Sequence, residues 1–539
     1  MKEMSEGFQA KMTRTLRTMG TRFGLPILIA LGVLLSASAA SANSIYVAQN
    51  SAGGNNGADC ADARTINSLG SSDWTAGNTI HLCGTITSSL TAQGNGTSSS
   101  PITVLFEPGA NLTVSACGAN GCINLAGSSY IVVDGGTTCG YVGGSDVACN
   151  GAIAATGNGT GSGNGESIGI YALGASHIEI RNLNINNMYV HTGSGNDVPP
   201  NLYYAIHVDG SNNFIHNNII HDAGGDIVGE AGTNNSEFSN NQMYNSNWNV
   251  FLSGPSSNSP NSITQIKIHD NDMHDYANWD TTSDSFHHDG AIIAGNNNLA
   301  NGVSFVSIYN NYIHGSVSSC SSDCMTAYIF VNDTNHTYTY NNLIVAPANA
   351  FVFNAWIFYW SPGTLQSNSI IANNTVIGGT LSNGGCISVE GDSSMTLQNN
   401  ILSNCAVLID VYTSPSTTFT TLTNNIYQAS SLSGVWQRGS SYYNSLTSWQ
   451  SAVSGDSSSR AITTSLNLSS NNAPLSSSIA VGAGANLTAL EITALDSDKA
   501  GILRPGNGPW DSGAFQSGSS VQLQGPPPAP PTGLRATVQ

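Results

Sequence analysis

The sequence predicts an all-β solenoid, and three observations carry that prediction. A seven-residue phrase, first clear at Ile215-His216-Asn217-Asn218-Ile219-Ile220-His221, returns along the chain. The interval between copies varies while the phrase stays fixed, as expected of stacked coils that share a corner and differ in their loops. The repeats are rich in Asn, Ile, Ser and Gly and hold no long stretch of helical periodicity, which excludes a solenoid of helices.

The copies cover 238–244, 268–274, 308–314, 339–345, 371–377, 397–403 and 422–428, with a looser one at 180–186. Their third residues are Asn182, Asn217, Asn240, Asp270, Asn310, Asn341, Asn373, Asn399 and Asn424, at intervals of 23 to 40 residues. An apolar residue, an outward polar one, two Asn and a second apolar residue describe a strand, a bend and a strand. Asn tolerates the left-handed backbone of such a bend. With coils stacked ~4.8 Å apart, the amides are expected to bond along the axis as a ladder, with Asp270 taking an Asn place in it. A chain of hairpins would need short, regular spacing, which is not seen.

Residues 1–42 read as a secretory signal: Arg14, Arg17 and Arg22 precede an apolar run over 25–35, and Ala40-Ser41-Ala42 offers a cleavage site. The run is short for a membrane anchor, so an exported, extracellular or cell-surface protein with no membrane insertion after cleavage is expected. A cap and first coils should occupy 43–126. The regular solenoid should fill 127–428, interrupted by a Gly-rich insertion. Irregular coils and a cap should follow over 429–517, with a short helix near Ser445 to Val453 bringing Trp449 over the end of the core. Residues 518–539 are expected to be a Pro-rich linker followed by what looks like the truncated start of a further module.

Of 13 Lys and Arg, five fall in the signal, as do two of 32 acids, leaving 8 bases, 30 acids and a formal charge of -22. That balance argues against nucleic acid and anionic membrane surfaces as partners. All ten Cys lie after the signal, so they are expected to staple loops as disulfides. Proximity pairs Cys60 with Cys83, Cys117 with Cys122, Cys139 with Cys149, Cys320 with Cys324 and Cys386 with Cys405.

The repeated phrase, the opening Ile45-Tyr46-Val47-Ala48, the later 76–82 and 100–104, and the closing Pro509-Trp510-Asp511-Ser512-Gly513-Ala514-Phe515 carry a family resemblance. Over 44–517 the chain resembles the right-handed parallel β-helix proteins of the pectate-lyase-like superfamily. The resemblance implies that fold, with 509–515 as the last strand, and a polysaccharide groove on the outward face of one sheet. Many chemistries share the scaffold.

Ten of the 12 His lie between 177 and 314. Ile206 and Val208 should face the core, turning His207 and Asp209 outward. A long insertion ends in Ser285-Phe286-His287-His288-Asp289. The candidate site is therefore His207, Asp209, Asp284, His287, His288 and Asp289. In a lyase, His207, His287 or His288 would be the base and Asp209, Asp284 and Asp289 possible calcium ligands. In a glycoside hydrolase, Asp209, Asp284 and Asp289 would supply the acid and the second carboxylate. The Arg and Lys bases of the pectate-type lyases are missing, since Arg181 and Lys267 alone lie in the regular solenoid. The Asn-Thr-Asp, Asp-Asp, Gly-His-Gly and Arg-Ile-Lys set of the polygalacturonases is missing too.

His221, His274 and His314 are expected to be outward strand residues stacking on their neighbours, and Asp222 and Asp275 turn residues. Trp248, Trp279, Trp356, Tyr359 and Trp360 offer sugar-stacking rings, with part of 351–360 expected in the core. The leading expectation is a monomeric, exported protein that cleaves a polysaccharide. The alternative is a non-catalytic glycan-binding or structural rod.

Overall fold

The computed structural model describes residues 42–519, apart from 137–139, 143–144, 148, 158–165, 190–202, 256–260, 278–287, 296–301, 318–324, 349–351, 363–365 and 380–383. Among the described residues the strands gather into three long sheets of 14, 13 and 13 members, here called A, B and C. One coil runs Phe214–His216 in A, Ile219–Ala223 in B and Gly225–Gly229 in C. The next runs Asn234–Ser239, Gln242–Tyr244 and Trp248–Ser253. Each strand pairs in parallel with its counterpart one coil away. The chain is a right-handed parallel β-helix.

The coil is set by where the backbone turns left-handed. Positive φ recurs every five residues, at 177/182/187, 212/217/222, 235/240/245 and 265/270/275. Most of these residues are Asn or Asp, the side chains that adopt this conformation most readily. The third residue of every phrase copy is among them, Asp270 included. Asp222 and Asp275 also turn the chain, as expected.

The ladder forms one residue further on. Asn218, Asn241, Asn271, Asn311, Asn342, Asn374, Asn400 and Asn425 point inward. From Asn218 to Asn400, each donates its Nδ2 to the next residue's Oδ1 at 3.0–3.1 Å. Each Nδ2 also reaches a backbone carbonyl one coil back, as from Asn342 to Ile308 at 2.9 Å. Asp270 therefore belongs to the turn beside the ladder, where an acceptor-only carboxylate is tolerated; Asn271 is the rung.

Inside, aliphatics stack in register. Ile180, Ile215, Phe238, Ile268 and Ile308 form one column of sheet A. Ile206, Ile227, Val250 and Ala291 form one of sheet C. Both belong to a single buried core. Three expected disulfides are formed, Cys60–Cys83, Cys117–Cys122 and Cys386–Cys405. The pairings of Cys139 with Cys149 and of Cys320 with Cys324 lie outside the described residues. No helix among the described residues is long and apolar enough to cross a membrane.

Helix Leu446–Val453, capped by the Ser445 side chain, brings the buried Trp449 against the main core. The Trp449 indole N–H and the Tyr427 hydroxyl both donate to Asp456. The chain beyond 465 then doubles back along the A/B corner, and the left-handed Asn side chains hold it there. Asn424 donates to Ala483 O, Asn399 to Ala485 O, Asn341 to Ser497 O and Asn373 to Gly513 O. Arg504 adds a bond to Asn341 Oδ1 at 2.8 Å and lies 5.3 Å from the Trp510 ring. The expected last strand over 509–515 is absent: Trp510 makes an isolated antiparallel bridge with Gly484. Trp510 packs with Tyr309 and Tyr340, and Phe515 with Leu343. The backbone there bonds to side chains instead: Asn373 donates to Asp511 O and Gly513 O, and Ala514 N–H donates to Thr375 Oγ1.

Candidate functional site

The outward face of sheet C carries side chains that change from coil to coil. Its strands alternate about core residues, so the residues between them project outward. One outward column reads Tyr171, His207, Val228, Phe251, Ile292, Phe330, Phe358, Ser388, Asp410 and Gln437. The residues two further on include Asp209, Glu230, Asn332, Trp360, Glu390 and Tyr412.

At the N-terminal end, His207 is buried and its Nε2 lies 3.2 Å from Glu230 Oε1. The Tyr171 and Tyr204 rings meet it edge-on. Burial pushes the Asp209 carboxyl up, an effect eased by the bond from Gly174 N–H. Burial, then the Glu230 charge, push the Tyr204 hydroxyl up to about 12. Sequence reasoning placed His207 with Asp209 here and passed over Glu230.

Asp289 and His288 lie elsewhere. Asp289 is on the same sheet three strands further along, ~14 Å at about 4.8 Å per strand. It is fully buried and accepts from Ala327 N–H at 3.0 Å. His288 is fully buried too, in register with Met325 of the main core. Asp284 and His287 lie outside the described residues. Asp209 and Asp289 are too far apart to hold one calcium ion. Among the described residues no group of three His, Cys, Asp or Glu could hold a metal.

The middle of the face is apolar and covered. Ile292, Ala327, Phe330, Ala355 and Phe358 form a cluster of their own, joined by Trp248 and Phe251. Trp356 and Tyr359 belong to the main core, and Trp279 lies outside the described residues. Trp360 is the exposed ring, at 36 %.

At the C-terminal end two carboxyl groups stand on adjacent strands. Asp410 is in register with Ser388, and Glu390 follows Ser388 by two residues on the same side. Glu390 is little exposed, at 7 %, and accepts from the Trp360 side chain. Burial pushes Glu390 up. Burial, then the Glu390 charge, push Asp410 up to about 7. Among the described residues, Asp410 Oδ1 and Ser388 Oγ have no hydrogen-bond partner. Tyr412 closes the group, its hydroxyl pushed up by burial and by both acids. Sequence reasoning missed Glu390 and Asp410, which lie outside the His-rich stretch. The available signal was alternation: Ser388 and Glu390 flank Val389, as Asp410 and Tyr412 flank Val411.

The other His residues spread over different faces. His221, Tyr244, His274 and His314 stack on sheet B at centroid distances of 4.7, 5.0 and 5.1 Å. His216 and His269 lie on sheet A, bonded to Glu179 and Glu237. A run that is dense in sequence is thus divided among three walls.

No family model and no curated protein matches the chain. Solved structures similar to it include an alginate lyase from Paenibacillus sp. str. FPU-7, at 12% identity over 70% of this chain and 97% of that one, TM-score 0.35. XylC in complex with xylose matches at 12% identity over 88% and 98%, TM-score 0.41. The GH136 lacto-N-biosidase from Eubacterium ramulus matches at 12% identity over 69% and 64%, TM-score 0.38. At such identities and TM-scores these likenesses lend no residue of this chain a role.

Proposed function

We propose that the chain is an exported protein that hydrolyses a polysaccharide on the outward face of sheet C, with Asp410 and Glu390 as its working carboxyl groups. The observation that carries this reading is their placement on adjacent strands beside the exposed Trp360. Glycosidic hydrolysis needs one carboxyl group still protonated near neutral pH and a second that is ionised. Asp410, at about 7, suits the proton donor. Glu390, whose upward push by burial is opposed by the Trp360 side chain, suits the group that activates water or attacks the sugar. Trp360 offers a face on which a sugar ring can stack.

A lyase is less well supported, because it requires a cation beside the uronate carboxylate: no Lys or Arg stands in the outward column, and Arg438, on the strand beside Asp410, donates to Ala452 O. The test is a screen of the mature chain on plant, algal and bacterial polysaccharides. New reducing ends without unsaturated-product absorbance, lost in Asp410→Asn and Glu390→Gln, are expected. Unsaturated products, or full activity in both variants, would overturn the assignment, and binding without cleavage would favour the rod.

A further inference from the structure

We infer that the glycan taken by sheet C carries no carboxylates: it is uncharged or amino-bearing, and polyuronates are refused. The inference rests on the sheet C face being the glycan site and adds the class of sugar.

The first support is charge. Between Arg181 and Arg438 the sequence holds a single Lys or Arg, Lys267. Lys267 is on sheet A, exposed and 3.9 Å from Glu237. Every loop that leaves or enters sheet C over 182–437 therefore brings no permanent cation to the face, whatever its path. The face itself carries Asp209 and Glu230 toward one end and Glu390 and Asp410 toward the other. His207, the one imidazole in its outward column, already faces Glu230 Oε1. A uronate laid on this wall would meet like charge at either end of the apolar middle, with no fixed cation in the outward column to offset it.

The second support is a neutral polar group with nothing to bond. Ser388 is 2 % exposed, and its Oγ has no partner among the described residues. It stands in the outward column between Phe358 and Asp410. A buried hydroxyl left unbonded is costly, and a sugar hydroxyl can both donate to it and accept from it. Trp360 beside it supplies an apolar face. A hydroxyl and a ring recognise a neutral sugar, whereas a uronate is held by Arg or Lys.

The experiment is an oligosaccharide array of neutral, amino-bearing and uronate chains, probed with the mature protein at low and high salt. Cleavage by the native chain and by Asp410→Asn is measured separately. Expected are neutral or amino-bearing ligands, with uronates at least about tenfold weaker at low salt and gaining as salt screens the repulsion. Ser388→Ala should weaken the best neutral ligand about fivefold. Uronates among the best ligands, or no neutral or amino-bearing ligand at all, would overturn the inference. Uronate cleavage that needs Asp410 would sink the inference and leave the hydrolase reading standing. Neutral binding without cleavage would do the reverse.

Discussion

The asparagine corner between sheets A and B and the outward face of sheet C are both built from register-aligned columns, yet they obey opposite rules. At the corner the same side chain recurs in coil after coil. Asn311, Asn342, Asn374 and Asn400 make the same bonds with the same geometry, fully buried. On sheet C the column changes from His207 through Phe330 and Phe358 to Ser388 and Asp410. Repetition marks the stacking device, and variation marks the wall free to acquire chemistry. In a solenoid, then, a site is best sought where an aligned column stops repeating.

The largest effect should come from the varied wall. Asp410→Asn keeps size and shape but removes the transferable proton. Activity on the polysaccharide found by screening should fall about a hundredfold to ten-thousandfold, with the unfolding midpoint unchanged. The native pH profile should decline above about 7, because Asp410 must be protonated to donate. Its acid limb should lie above the ordinary glutamate value of 4.5, because Glu390 is pushed up and must be ionised. A profile flat from pH 5 to 9 would separate this pair from the chemistry.

The next effect belongs to the repeated corner. Asn342→Ala removes the donor to Ile308 O and the acceptor used by Asn311 N and Nδ2. Buried groups left unpaired there should cost about 3 kcal/mol in denaturant unfolding, with little change in the activity of the protein that remains folded. Equal loss of activity and stability would mean that corner and wall are not independent.

How much of this was legible in sequence follows the same division. The corner was legible because a left-handed backbone and an axial amide ladder both select Asn, so the phrase repeats. One residue of phase was not. The two Asn of each copy look alike in the alphabet, and only the backbone shows that the third turns the chain while the fourth bonds inward. The three disulfides were legible from sequence proximity, and so was the short helix near Ser445 to Val453 that carries Trp449. The returning C-terminal segment was not, since Arg504 and Trp510 find partners more than a hundred residues away. Glu390 and Asp410 were legible only in part: alternation about Val389 and Val411 turns them outward, but nothing in the sequence pairs them. Each is a single acid in an ordinary strand, and the two become neighbours only through stacking.

A smaller effect probes the edge of the site. Trp360→Ala removes the exposed ring and the donor to Glu390. KM should rise about fivefold to tenfold, and the acid limb of the pH profile should move upward, because the lost bond had been lowering the Glu390 pKa.

The smallest effect is a near absence of one, and it sharpens the contrast most. His density between 177 and 314 is the strongest compositional signal in the chain, so a reader of sequence alone would place the chemistry there. On sheet B those rings form a column, His221 on Tyr244 on His274 on His314. Their nitrogens already have carboxylate partners: His274 Nδ1 to Asp275 at 2.6 Å, His314 Nε2 to Asp272 at 2.8 Å. A nitrogen engaged in this way has its proton committed, and the column stands on a different wall from Asp410. His314→Gln, which can still donate to Asp272, should leave activity within about twofold and shift stability by no more than about 1 kcal/mol. A large loss of activity in His314→Gln, with the fold intact, would move the site from sheet C to sheet B.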